Sequence, residues 1–332
     1  MRSPAALLYH AGGLGDFITA IPTIRFWKKH RSPGRIVLLG IPAIGEMAMD
    51  AGIVDALLDA RSSRFLPLWQ EEQTPEADVF LHSFSSALVF ADPDSPLLRA
   101  IRRSAIQAVF SQPPFPSGND RHIIDYHLSL FDDMPLSATA AARIPRIIPS
   151  PDAMAAVRAM ASLDPAPVAL HPGSGSALKN WPLERFKDCS GRLRAEGIPV
   201  LWIQGPAEAL FPVVLPEPAI VEPPLPALGA LLSRCRAFIG NDSGIAHLAA
   251  AVGCPTVAVF GPSDPALWAP RGERVRIIYK SNGCTPCHPT STTANHCGRP
   301  CLTAIIVEKV VEAVFAEKKV YSREGSICPE LK

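Results

Sequence analysis

Three glycine-centred turns hold most of the side chains in this sequence that are suited to chemistry. The first runs Tyr9-His10-Ala11-Gly12-Gly13-Leu14-Gly15-Asp16-Phe17, after a short apolar run and before an amphipathic one. Glycines in such a place let backbone N–H groups approach a ligand closely, and a helix N-terminus favours an anion. Taken alone, the turn reads equally well as a structural one in which Asp16 caps the helix. The second turn runs His171-Pro172-Gly173-Ser174-Gly175-Ser176-Ala177-Leu178-Lys179-Asn180-Trp181-Pro182. Small hydroxyl residues and glycines, Ser174 and Gly175 among them, stand ahead of Lys179, a composition that makes an oxyanion cradle with one positive charge. Pro182 then suits the first turn of a helix. The third turn, Phe238-Ile239-Gly240-Asn241-Asp242-Ser243-Gly244-Ile245-Ala246-His247, leads from a strand into an apolar helix. Asp242 and Ser243 fall in its cap region, Gly244 opens it, and His247 lies in its first turn, where a lone histidine reads more readily as a core residue than as a ligand.

The elements that must position these turns are β-strands alternating with amphipathic helices, the pattern of βαβ units around a parallel sheet. In the first half the pattern predicts strands over 5–9, 35–39, 79–82 and 108–110, with helices after Gly15 and around 44–51 and 123–131. Prolines and polar residues over 145–152 break the pattern before a helix through 154–161. It restarts with strands over 168–171, 200–204, 237–240 and 256–260 and helices after Trp181, Leu225 and Ser243. Two doubly wound α/β halves follow, 1–150 and 151–332, and the phosphate-friendly loops lie at the carboxyl ends of strands, where open α/β sheets bind ligands. A cleft between two such domains is expected.

A length of 332 residues exceeds what one core usually supports and fits two domains of roughly 150 each. A formal net charge of +1 supplies no field for attracting a polyanion, so nucleic acid is not an expected partner. Apolar residues form 48% of the chain, but always with polar interruptions short of the about 18 needed for a span. The apolar run near the N-terminus is too short for a secretory signal, and cytoplasmic is the expected location. Eight cysteines, four of them clustered late, do not form the framework of a small secreted domain.

A nicotinamide-dependent oxidoreductase is the rival suggested by the first turn. A dinucleotide-binding turn needs a glycine or alanine three positions after Gly15, where this chain has Ile18. The acidic residue that should close the second strand is also missing, since 36–40 runs on into Ile41-Pro42. A non-catalytic sugar-nucleotide-binding module is the other alternative. The order of motifs favours neither. A Gly-Asp turn at 15–16, a middle His-Pro-Gly…Lys-x-Trp-Pro, and a late Asp-Ser-Gly-x-x-His-Leu-Ala-Ala-Ala followed by Phe-Gly-Pro, Trp268 and Pro270 together resemble the ADP-heptose:lipopolysaccharide heptosyltransferase family, glycosyltransferase family 9.

That resemblance implies a GT-B architecture of two facing Rossmann-like domains, the first binding an acceptor and the second a nucleotide-sugar donor. It implies an inverting transfer, with ADP-heptose as the main expected donor and a lipopolysaccharide-core or related saccharide as acceptor, and with no cofactor and no divalent metal. Asp16 matches the family's base. Lys179, Ser174 and the Asp242-Ser243-Gly244 helix start would meet the charge of the departing diphosphate, with Gly15, Gly175 and His247 in the same donor-binding set. Asp242, being negative, would cap its turn or bind sugar hydroxyls. Glu208 matches a position that holds the donor ribose. Where many members read Gly-Asp-x-x-x-Thr-Leu-Pro, this chain has Ala20, Ile21 and Pro22, with Thr19 alongside.

Three further signals carry weaker chemistry. Asp92-Pro93-Asp94 spells the Asp-x-Asp of metal-dependent transferases, but Pro93 and Pro96 make it an exposed turn. Cys284, Cys287, Cys297 and Cys301, interleaved with His288 and His296, have spacing suited to a structural zinc site sealing a loop, or else serve as core and loop residues. Lys28, Lys29, His30, Arg31, Arg102 and Arg103 form small basic clusters that read as solvated faces. With an anionic lipid-linked acceptor they would also steer it or touch the inner membrane surface.

Overall fold

A computed structural model of the chain describes residues 5–31, 34–70, 74–118, 121–132, 140–160, 163–205, 215–216, 218–281, 283–284, 286–287 and 297–316. It divides into two compact units, Met1–Ala153 and Met154–Lys332.

The first unit holds strands β1 (Ala5–His10), β2 (Arg35–Gly40), β3 (Ala56–Asp59), β4 (Phe84–Phe90) and β5 (Ala108–Gln112). Its helices are α1 (Leu14–Arg31), α2 (Pro42–Asp50), α3 (Pro75–Leu81), α4 (Pro96–Arg103) and α5 (Ile123–Leu128), and α6 (Pro151–Met160) carries the boundary. All strands are parallel, in the order β3-β2-β1-β4-β5. Leu7 of β1 lies opposite Val37 of β2 and Ala87 of β4. Leu7 packs with Leu39, Val89, Leu97 and Ile101 in one core cluster. Its neighbours Ala6 and Leu8 are equally buried, as required of strands covered on both faces.

The second unit repeats the plan with β6 (Val168–His171), β7 (Val200–Gln204), β8 (Ala219–Val221), β9 (Ala237–Asn241), β10 (Thr256–Phe260) and β11 (Val275–Tyr279). Their order is β11-β10-β9-β6-β7-β8, again all parallel. Its helices are α7 (Leu183–Ala195), α8 (Leu225–Arg234), α9 (Gly244–Ala251), α10 (Pro265–Trp268), α11 (Pro300–Thr303) and α12 (Val307–Phe315). Trp181, Phe186 and Trp202 centre its core. In both sheets the winding reverses beside the first strand, between β1 and β4 and between β6 and β9. These reversal points are where doubly wound sheets open a crevice for ligands. The fold class is the α/β, GT-B one expected from the sequence.

One expected strand is a helix. Residues 79–82 belong to the end of α3 and the turn after it, and the strand that follows is β4. An apolar run of three residues, Val79 to Leu81, does not distinguish the two states. The deciding signal lies upstream, where Thr74 Oγ1 accepts from Ala77 N at 3.3 Å, Pro75 takes the first helical position, and Glu76 and Asp78 fill the first turn. Four strands, β3, β4, β8 and β11, lie outside the expected set. Pro182 takes the cap position of α7 rather than its first turn.

Three histidines are buried as neutral rings. Burial lowers His10 and His247 to about 4. It lowers His127 to about 3, with His10 and His122 adding to the effect. His10 and His127 pack edge-on against Phe90 at 5.4 and 5.1 Å. In the unfolded chain these rings titrate near 6.5, so the unfolded state binds more protons below that pH. Their stabilisation is complete above 6.5, falls as pH drops towards 4, and is lost below the folded values. We expect a loss on the order of 2 kcal/mol per ring at pH 5. Thermal melting between pH 7.5 and 4.5 should show this decline, and His127→Gln should flatten it.

Candidate functional site

In the first unit the site begins where β1 ends. The chain leaves His10, turns through Ala11, Gly12 and Gly13, and enters α1, with Phe17 N donating to Gly13 O at 3.0 Å. Asp16 lies in the first turn and reaches back, so that its Oδ2 accepts from Gly13 N at 2.9 Å. This is the return half of a capping box, and it fixes the direction of the carboxylate. Thr19 Oγ1 donates to Asp16 O at 2.8 Å, so the threonine braces the helix backbone from a buried position. The turn is tight around Gly12. A Cβ there would lie 3.0 Å from both Asp16 Cβ and His10 Cε1, and 3.1 Å from Asp16 Oδ2. Ile18, at the position a dinucleotide turn gives to glycine, is fully buried.

In the second unit the loops after β6 and β9 meet at the sheet's reversal point. Asn241, the last residue of β9 and 0% exposed, accepts from Trp181 N through Oδ1 at 2.9 Å and donates through Nδ2 to Pro172 O at 2.5 Å. The loop over 172–181 is thereby fastened to the end of β9. Within it, Ser174 Oγ lies 2.6 Å from Asn180 Oδ1 and 2.7 Å from Ser176 O. The Ser174 hydroxyl therefore shapes the loop, while Gly175 is exposed with nothing within 4 Å of where a Cβ would stand. A 3-10 turn, Ala177–Lys179, follows. It delivers Lys179 Nζ to 3.1 Å from Asp242 Oδ2, with both side chains largely buried.

Ser243 caps α9, its Oγ accepting from Ala246 N at 3.3 Å. The amides of Gly244 and Ile245 belong to the first-turn donors that no helical carbonyl satisfies. His247 follows, its pKa lowered by burial and by Lys179 against the opposing effects of Asp242 and a backbone hydrogen bond with Trp268. Its Nδ1 is buried without a hydrogen-bond partner. Asp242, Ser243, Gly244, His247 and Lys179 thus gather at one place. An ammonium beside a helix N-terminus is an arrangement that binds an anion.

Of the remaining candidates, Glu208, His288 and His296 lie outside the described residues. Asp92 and Asp94 are exposed in a turn, as expected. Cys301 is a buried core residue, whereas Cys284 and Cys297 are exposed. The thiols are near enough that Cys297, Cys284 and Cys287 raise the Cys301 pKa beyond the effect of burial. Among the described residues, however, no three His, Cys, Asp or Glu side chains are placed to hold a metal ion. Cys301 faces the core from α11. Asn241 and Asn180 lie within the sequence turns, where no motif assigns them a role. A polar residue ending an otherwise apolar, fully buried strand was the available signal for Asn241.

Two Rossmann-like units, one presenting a self-capped carboxylate and the other a lysine beside a helix N-terminus, define the class as a two-domain α/β protein with doubly wound parallel sheets. The family model of glycosyltransferase family 9 (heptosyltransferase) matches residues 79–297, and the chain belongs to that family. A stretch of 113 residues is 33% identical to lipopolysaccharide heptosyltransferase 3 of Escherichia coli. It covers 31% of this chain and 33% of that protein, so the chain matches about a third of the relative's length. The fold is similar to the crystal structure of the glycosyl transferase family 9 protein from Veillonella parvula DSM 2008, with a TM-score of 0.72 at 18% identity over 94% of this chain and 96% of that one. It is also similar to E. coli ADP-heptose lps heptosyltransferase II, with a TM-score of 0.68 at 18% identity over 94% and 97%.

The crowding at Gly12 generates a test. Gly12→Ala should displace the Asp16 carboxylate, reducing transfer at least about tenfold if that carboxylate acts as a general base. Circular dichroism should show the fold retained. Full activity in this variant would mean that the direction of Asp16 is not needed.

Proposed function

We propose that the protein is an inverting glycosyltransferase that moves a sugar, heptose from ADP-heptose, onto a lipopolysaccharide-core or related saccharide acceptor. The observation that carries this reading is the convergence of Lys179, Asp242 and the α9 N-terminus at the reversal point of the second sheet, in a chain of this family. The choice of sugar and acceptor draws on the relatives, which are named for lipopolysaccharide and, in one case, for ADP-heptose.

In this reading the donor diphosphate lies against Lys179 and the first amides of α9. Both are fixed before the reaction and both oppose the negative charge that grows as the nucleoside diphosphate departs. The transfer needs no divalent ion, because the lysine and the helix start supply the positive charge. Asp242 holds the Lys179 ammonium in place and has oxygen lone pairs left for sugar hydroxyls. Asp16 accepts the proton of the acceptor hydroxyl as that oxygen attacks the anomeric carbon from the face opposite the leaving group. The bond to the diphosphate breaks as the new glycosidic bond forms, and the configuration inverts.

No helix among the described residues is long and apolar enough to cross a membrane. We place the reaction in the cytoplasm, at the inner membrane face where a lipid-linked acceptor is presented. Lys28, Lys29, Arg102 and Arg103 would contribute attraction to that acidic surface, at about 1 kcal/mol per residue near it.

Binding and turnover of ADP-heptose in EDTA tests this reading. Lys179→Ala should weaken donor binding roughly tenfold or more, as expected for losing a charge-assisted contact. Asp16→Asn should keep donor binding while turnover falls about 10²- to 10⁴-fold. Binding of NAD in place of any nucleotide sugar would overturn the proposal, and activity abolished by EDTA and restored by a divalent ion would overturn its metal-independence.

A further inference from the structure

Arg299 lies far from the phosphate loop in sequence but touches it in the fold. Its Nη1, which carries two N–H groups, donates to Ala177 O at 2.7 Å and to Asn180 O at 3.4 Å. Those carbonyls bracket Lys179 at the ends of the 3-10 turn. Ala177 O also accepts from Asn180 N at 3.3 Å, and Lys179 N donates to Ser176 O at 2.9 Å, so the turn's own bonds are few. The guanidinium thus adds two charge-assisted bonds to the few that the turn makes within itself.

The backbone of Arg299 points to the same role. Gly298 and Arg299 are both left-handed, with φ of 66° and 56°. For glycine that conformation is ordinary, but for an arginine it is unfavourable and persists only where surrounding structure enforces it. Here Arg299 caps α11, its carbonyl accepting from Leu302 N and Thr303 N at 3.0 Å each. That four-residue helix is pinned by Cys301 and Leu302, both buried in the second core. The bend therefore starts from a fixed base in the core and sends the guanidinium out to the turn. From the other side, Trp181 joins the same scaffold, its Nε1 donating to Ile305 O at 3.3 Å.

We infer that Arg299 is a positioning residue for the donor site, one that acts by holding the Ala177–Lys179 turn so that the Lys179 ammonium meets the diphosphate. The inference rests on the reading of Lys179 given above. Arg299 itself makes no contact with substrate in this role. Its loss leaves Lys179 present but misplaced, so its whole effect on donor binding passes through the lysine.

Calorimetric binding of ADP to the full chain, with melting measured alongside, tests this with Arg299→Ala, Arg299→Gly, Lys179→Ala and the double variant Arg299→Ala/Lys179→Ala. Arg299→Gly removes the guanidinium and also relieves the left-handed backbone, so it should melt above Arg299→Ala. Both should nevertheless weaken ADP equally, by roughly tenfold, the scale of a charge-assisted hydrogen bond. The double variant should bind no worse than Lys179→Ala alone, the non-additivity expected of two residues acting in series. If Lys179→Ala weakens ADP but Arg299→Gly binds like the unsubstituted protein, or if the two losses simply add, Arg299 does not act through Lys179 and the inference fails while the donor-site reading stands. If Lys179→Ala leaves ADP binding unchanged, or the unsubstituted protein binds no ADP, the reading of Lys179 falls and the role of Arg299 falls with it.

Discussion

The second unit depends on the amide side chain of Asn241. A parallel sheet with a reversal in its winding leaves two strand ends side by side, each followed by a loop that departs to a different helix. The backbone groups of those loops are buried where no ladder can reach them, and each would cost about 1–3 kcal/mol if left unsatisfied. Asn241 answers both at once, as acceptor for Trp181 N and donor for Pro172 O. An aspartate there could not donate to the carbonyl, and an apolar residue could do neither. Once the loop over 172–181 is fastened at both ends, the intervening residues have little freedom, and Trp181 can enter the core while Lys179 stays at the rim.

The two units solve the same loop problem with different polar devices. After β1 the helix caps itself, because Asp16 reaches back to Gly13 N, and the cap and the candidate base are one carboxylate. After β9 the cap belongs to Ser243, which leaves Asp242 to pair with Lys179. The difference has chemical content. A carboxylate whose direction is set by a backbone amide is oriented for proton transfer, whereas one paired with a lysine is oriented to hold a cation.

Much of this was legible in the chain itself. The turns around Gly12, Gly173 and Gly244 stand out because glycine, small hydroxyls and a charged residue follow apolar strands, and seven of the eleven strands come with apolar runs long enough to stand out or with turns that mark their ends. The exception among the expected strands, residues 79–82, failed because an apolar run of three residues carries no period, and the Thr74-Pro75 start signal outweighs it. β3, β8 and β11 are outer strands that are only partly buried, and in each the apolar run stops at three residues. The contact between Arg299 and the turn holding Lys179 was not legible at all, because it spans about 120 residues and no local pattern encodes a long-range partner.

The Lys179–Asp242 pair bears on how such a site discriminates. Both side chains are largely withdrawn from water, and an isolated ammonium there would carry a desolvation penalty of several kcal/mol. Asp242 offsets part of that penalty and part of the charge, so the paired ammonium attracts anions less than a free one would while keeping a positive face for them. What remains for a ligand is geometric. A lysine ammonium has three N–H donors, and a single carboxylate oxygen at 3.1 Å occupies one. The others, with the first amides of α9, suit a group that presents several oxygens together, as a diphosphate does, better than a single carboxylate or chloride. Discrimination of this kind depends on the lysine being held in register with the helix start, and therefore on the loop that Asn241 fastens and the turn that Arg299 grips.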